Sequence, residues 1–245
     1  MTTRLVQINL KARDEVALGA FWAKALGWET SSEAPGVINL EPPGVPYPDP
    51  SALFIDLVVS AEPKTAKNRV HVDLATTSPD HQAKLVARLT GLGATAVDIG
   101  QGDVPWTVMA DPEGNEFCVL EPREVYRDTG PIAAVVVDCA DPREMARFWG
   151  EATDWTRHEV TDRHASLRSA AGVGPYLEFV RSTDAKPGWN RVHLDVRPYA
   201  GDDLAAEVAR LGTLGATAID LGDPEIHWRV MADPEGNEFC VLTPR

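Results

Sequence analysis

The sequence predicts an α+β fold made of four β-α-β-β-β modules arranged as two tandem halves. Three observations carry this. Residues 109–120 read MADPEGNEFCVL, and the same twelve letters return at residues 231–242, 122 positions later. An identity of that length within one chain marks a duplicated unit. Arg69-Val70-His71 returns at Arg191-Val192-His193 with the same offset, whereas Phe21-Trp22 returns at Phe148-Trp149 with an offset of 127. The difference, 127 − 122 = 5, means that the second half has lost five residues between these landmarks. Finally, one grammar recurs between landmarks: a strand, an amphipathic helix, then three short strands.

Taken in order, residues 3–10 alternate and carry β-branched side chains, as a strand does. Asp14 opens a helix whose apolar face is Leu18, Phe21, Trp22, Ala25 and Leu26, and Gly27 ends it. Short strands follow at 28–31, 37–40 and 52–59, separated by a loop (41–50, EPPGVPYPDP) whose five prolines exclude helix and ladder. The second module begins with a strand at 69–75. Ser78-Pro79 then gives an N-cap and a proline at the first helical position. Leu85, Leu89 and Leu92 form the buried face, Gly93 closes the helix, residues 96–99 are a strand, and the 106–120 hairpin supplies two more.

Residues 1–122 therefore form one half, 123–130 a polar, turn-rich linker and 131–245 the other half. In the second half Asp141 and Glu144 are spaced as a capping box, and the Pro-rich loop shrinks to residues 170–175.

Composition narrows the function classes. The chain has 245 residues, 44 % of them hydrophobic, and a formal charge of −14 without a basic cluster. Neither nucleic acid nor an anionic membrane is an expected partner. No stretch approaches the apolar length of a membrane span, the N-terminus lacks a signal peptide's apolar run, and Cys118, Cys139 and Cys240 make no disulfide framework. A cytoplasmic location is expected. Nucleotide loops, Ser/His/Asp arrangements and Cys-x-x-Cys pairs are absent. The DPEGN segment reads as a hairpin turn. His71 and Asp73 share a strand face, as an acid/base couple or as a structural hydrogen bond. Trp106 and Trp228, which start the repeated hairpins, are candidates to line a pocket for a planar ligand, together with His71 and His193.

With these residues in view, the chain resembles a tandem member of the vicinal oxygen chelate superfamily, which includes glyoxalase I, bleomycin-resistance proteins and extradiol dioxygenases. The resemblance spans residues 3–244 and rests on the Arg-Val-His and Asp-Pro-Glu-Gly-Asn-Glu-Phe-Cys segments. It implies mixed sheets curled around cavities. It also implies four metal-ligand positions per cavity, which fall on Gln7, Asp56, His71 and Cys118 in one half and on Ala134, Glu178, His193 and Cys240 in the other. If modules pair across halves, Gln7 and Asp56 meet His193 and Cys240, while Ala134 and Glu178 meet His71 and Cys118. A divalent metal (Zn, Ni, Mn or Fe) is one expectation. The cysteines, and the alanine at a ligand position, favour the other: a small organic molecule bound without a glyoxalase-type metal, as in resistance by sequestration. A metal-dependent lyase or isomerase is the alternative, and a structural protein without ligand the third. Four modules in one chain let a monomer suffice, with a homodimer left open.

Overall fold

The structure is a computed structural model that describes residues 2–32, 34–223 and 225–245. The first module comprises β1 (Thr3–Ala12), α1 (Glu15–Leu26), β2 (Glu29–Ser31), β3 (Val37–Glu41) and β4 (Phe54–Val59). The second comprises β5 (Val70–Leu74), α2 (Pro79–Gly91), β6 (Thr95–Ala96), β7 (Thr107–Ala110) and β8 (Glu116–Val119). The third comprises β9 (Ile132–Cys139), α3 (Pro142–Ala152), β10 (Trp155–Val160), β11 (His164–Ser169) and β12 (Tyr176–Arg181). The fourth comprises β13 (Val192–Pro198), α4 (Leu204–Leu214), β14 (Thr217–Ile219), β15 (Arg229–Ala232) and β16 (Glu238–Val241).

The modules pair across the halves. One open mixed sheet runs β14-β15-β16-β13-β1-β4-β3-β2, joining the fourth module to the first; the other runs β10-β11-β12-β9-β5-β8-β7-β6, joining the third to the second. We call them sheet A and sheet B. Each has an antiparallel seam at its centre, β1 against β13 and β5 against β9, flanked by parallel pairs.

The duplicated landmarks are where the two sheets meet. On α1 the Phe21 and Trp22 rings lie against Phe117 of β8, with centroids 6.4 and 5.1 Å away; on α3, Phe148 and Trp149 lie against Phe239 of β16 at 6.1 and 5.2 Å. Each helix of one sheet thus docks on the repeated hairpin of the other. Phe117 and Phe239 are almost completely buried. Removing either ring should cost about 3–5 kcal/mol.

The DPEGN turns complete the junction. Glu113 accepts hydrogen bonds from the backbone N–H groups of Arg13 and Asp14 at the start of α1, and Glu235 accepts them from Ala140 and Asp141 at the start of α3. Arg191 reaches Glu113 and Asn115, and Arg69 reaches Glu235 and Asn237, so each guanidinium binds the turn of the opposite half. The carboxylates sit where the helix dipole favours negative charge. The repeated motif is a junction as well as a turn.

This geometry corrects the expected capping box. Asp141 does cap α3, accepting from Arg143 and Glu144. The Glu144 side chain, however, pairs with Arg147, and the N–H of Asp141 is taken by Glu235 instead. A second correction concerns residues 96–99: β6 holds only Thr95–Ala96, because after the bond from Val97 to Val108 the Asp98 carboxylate turns the chain by accepting from Gly100.

Candidate ligand cavity

Sheet B carries an open cavity of about 690 Å³. Trp106, Val108, Leu120, Val136 and Val180 give it an apolar wall, and His71, Asp73, Cys118, His164 and Glu178 bring polar groups to it. Alternation along β5, β8 and β12 turns these side chains to one face. Glu178 on β12 is buried, and its Oε1 accepts a 2.7 Å hydrogen bond from the Tyr126 hydroxyl. Tyr126 comes from the segment between β8 and β9, where a single 3-10 turn, Glu124–Tyr126, folds the ring inward beside Tyr176. The other oxygen, Oε2, lies 3.3 Å from His164 Nε2, and Glu159 approaches His164 Nδ1 at 3.7 Å. Contact with Glu178 holds the His164 pKa above the ordinary histidine value, against the opposing effect of burial. Burial first, then the charge of Glu178, pushes the Tyr126 phenol well up, so it stays a neutral donor. Arg123 bonds Glu121 and stands over the Trp106 and Tyr126 rings at 5.7 and 5.8 Å.

The corresponding face of sheet A carries a hydrogen-bonded group of side chains. Gln7 Nε2 donates to Asp56 at 2.6 Å and to Asp195 at 3.0 Å, and Asn39 also donates to Asp56. The Pro-rich loop carries Tyr47 onto Gln7: the hydroxyl donates to Gln7 Oε1 at 2.7 Å and accepts from Arg197.

Each ligand position expected from the family can now be located. Gln7, Asp56, His193 and Cys240 all belong to sheet A, and Ala134, Glu178, His71 and Cys118 to sheet B. Glyoxalase-type metal binding does not fit sheet B: Ala134 offers no donor, and Glu178 is held by Tyr126 and His164. What does converge is a different trio, His71, Asp73 and Cys118, repeated as His193, Asp195 and Cys240; within each, one donor atom per residue lies within 4.8 Å of the others. Nitrogen, oxygen and sulfur together suit Zn²⁺ rather than a hard octahedral ion. Asp73 Oδ1 and Asp195 Oδ1 are buried without a hydrogen-bond partner, though His71 and His193 stand 3.5 and 3.3 Å from them. Burial first, then the adjacent aspartate, raises the pKa of both Cys118 and Cys240 far above the usual thiol range.

Trp106 lines the sheet B cavity, whereas Trp228 is 40 % exposed and borders a separate hollow of about 190 Å³ beside Ile219 and Ile226. Sequence reasoning passed over Tyr126, His164 and Glu159, which lie outside the repeated landmarks, and Tyr47, which lies in a loop notable only for its prolines.

Paired βαβββ modules that expose donor residues on one sheet face define a glyoxalase-like protein of the vicinal oxygen chelate class. The Glyoxalase-like domain family model matches residues 7–120 and again 134–242, and the chain belongs to that family. Among solved structures it is similar to glyoxalase I from Zea mays, at 14 % identity and a TM-score of 0.64, covering 99 % of this chain and 92 % of that one. It is also similar to a putative dioxygenase from Bacillus subtilis subsp. subtilis str. 168, at 13 % identity and a TM-score of 0.61, covering 99 % and 85 %. These likenesses establish the fold. No curated protein matches the sequence. Among the described residues no helix is long and apolar enough to cross a membrane.

Proposed function

We propose that the protein binds a small organic molecule in the sheet B cavity, without a glyoxalase-type metal. The observation that carries this reading is a cavity of about 690 Å³ whose apolar wall meets the hydrogen-bonded set Tyr126–Glu178–His164. That volume lies within the range of small-molecule sites, roughly 300–1,000 Å³. Trp106 offers a face to a planar ring. Glu178 and His164, paired with each other, form its polar end, where the carboxylate keeps lone pairs beyond its Tyr126 and His164 contacts to accept from the ligand. Such a site serves sequestration, or the handling of a metabolite in which Glu178 and His164 exchange a proton with the bound molecule.

The alternative, a metal-dependent lyase or isomerase, draws on the His71–Asp73–Cys118 trio. The two readings separate on one experiment. Small aromatic fragments are screened by ligand-observed NMR, with and without chelator, against wild type, Trp106→Ala, Glu178→Gln and His71→Ala. Binding that survives chelation and is lost in Trp106→Ala and Glu178→Gln supports the first reading. Binding that requires metal and is lost in His71→Ala supports the second.

A further inference from the structure

Tyr47 reaches the sheet A face on a loop for which the fold has no need. The equivalent connection between β11 and β12 is the short segment 170–175, and it carries no aromatic residue, yet β12 and β4 hold the same place beside the central seam. The groups that hold the Tyr47 hydroxyl, in contrast, are built into strands. Gln7 on β1 has its amide fixed by two carboxylates: Nε2 donates to Asp56 and Asp195, which leaves Oε1 facing the phenol. Arg197 on β13 is anchored through Nη1 to the carbonyl of Thr243, and its Nε and Nη2 reach the phenol oxygen at 3.2 and 3.1 Å. Phe54 meets the Tyr47 ring edge-on at 4.8 Å, and the Arg197 guanidinium stands 5.3 Å from its centroid. One acceptor, one two-pronged donor and an aromatic wall recognise a hydroxyl group on a flat ring.

We infer that the sheet A face is a second binding site, for hydroxyaryl molecules, which Tyr47 occupies as an intramolecular ligand. The five residues retained only in the first half supply the plug. Sheet B, with the short loop, keeps its cavity open. A free phenol enters sheet A by displacing Tyr47, and donates to Gln7 and accepts from Arg197 as the tyrosine does. A tethered ligand competes at an effective concentration on the order of millimolar.

The test uses the full chain and p-cresol, the tyrosine side chain as a free molecule, with toluene as the control lacking the hydroxyl. Ligand-observed NMR titrations compare wild type with Tyr47→Ala. The expected result is saturable p-cresol binding to Tyr47→Ala at least about tenfold tighter than to wild type, with toluene at least about tenfold weaker than p-cresol. Arg197→Met in the Tyr47→Ala background should abolish the preference for the hydroxyl. A folded Tyr47→Ala that binds neither compound, or binds toluene as well as p-cresol, overturns the inference, because an ordinary hole in the packing would accept both. If Tyr47→Ala shows no cooperative thermal transition, Tyr47→Phe takes its place. It keeps the ring but loses both hydroxyl contacts, so p-cresol should bind it more tightly than wild type; equal or weaker binding overturns the inference.

Discussion

Ala134 lies directly opposite Asp73 on the paired strands β9 and β5, at the register where Gln7 faces Asp195 in the other sheet. Gln7 donates to Asp195; alanine leaves Asp73 without that donor and belongs to the same buried cluster as the tyrosine pair Tyr126 and Tyr176. Ala134→Gln adds side-chain volume to this buried cluster. Overpacking of this kind should lower stability by about 1–3 kcal/mol and weaken binding in the sheet B cavity. Thermal or urea unfolding, together with the fragment titration, checks both effects. A variant of wild-type stability that binds normally would show that the two sheets do not differ for this reason.

The paired junctions predict a symmetric cost. Glu113→Ala removes the acceptor for the start of α1 and a partner of Arg191; Glu235→Ala does the same for α3 and Arg69. Each should destabilise by about 1–3 kcal/mol. Equilibrium urea unfolding of both single variants should give similar losses, and loss from one alone would contradict the equivalence of the junctions.

His164 gives the cavity a pH dependence whose sign follows from its partner. Contact with Glu178, reinforced by Glu159, holds its folded-state pKa above the unfolded value of about 6.5. Its stabilising contribution is therefore complete below that value and is lost as pH rises through the folded-state pKa. The melting temperature of wild type should exceed that of His164→Asn most at about pH 6, and the gap should close towards about pH 9. A gap that widens with pH would contradict the pairing with Glu178.

The metal donors that converge differ from those of a glyoxalase, and the difference is measurable. Zinc loaded onto the protein should fall by the sheet B share in His71→Ala and in Cys118→Ser, leaving that of the sheet A trio, and should stay at the wild-type level in Glu178→Gln. Elemental analysis after desalting reads this directly. Metal lost on Glu178→Gln would restore the family's ligand set.

Much of the fold was legible because duplication wrote it twice. The twelve-residue identity, Phe21-Trp22 with Phe148-Trp149, and Arg69 with Arg191 mark contacts that recur at both junctions between the sheets. The pairing of modules was not legible, since either scheme assembles the same residue types from the two halves. His71 and Cys118 stand on landmark strands and Trp106 immediately precedes one, and all three line the sheet B hollow. Tyr126 and Tyr47 were not legible, because each enters a site from a segment read only as linker or loop. The five-residue excess around Tyr47 was a usable signal: an aromatic among prolines, in a loop that the other half does without.

The most direct test of the central claim is the fragment titration repeated in chelator on wild type and Glu178→Gln, with Trp106→Ala alongside. The expected result is binding to wild type that chelator leaves unchanged and that both substitutions weaken by at least about tenfold. Binding that disappears in chelator, or that neither substitution weakens, would contradict a metal-independent ligand site in sheet B.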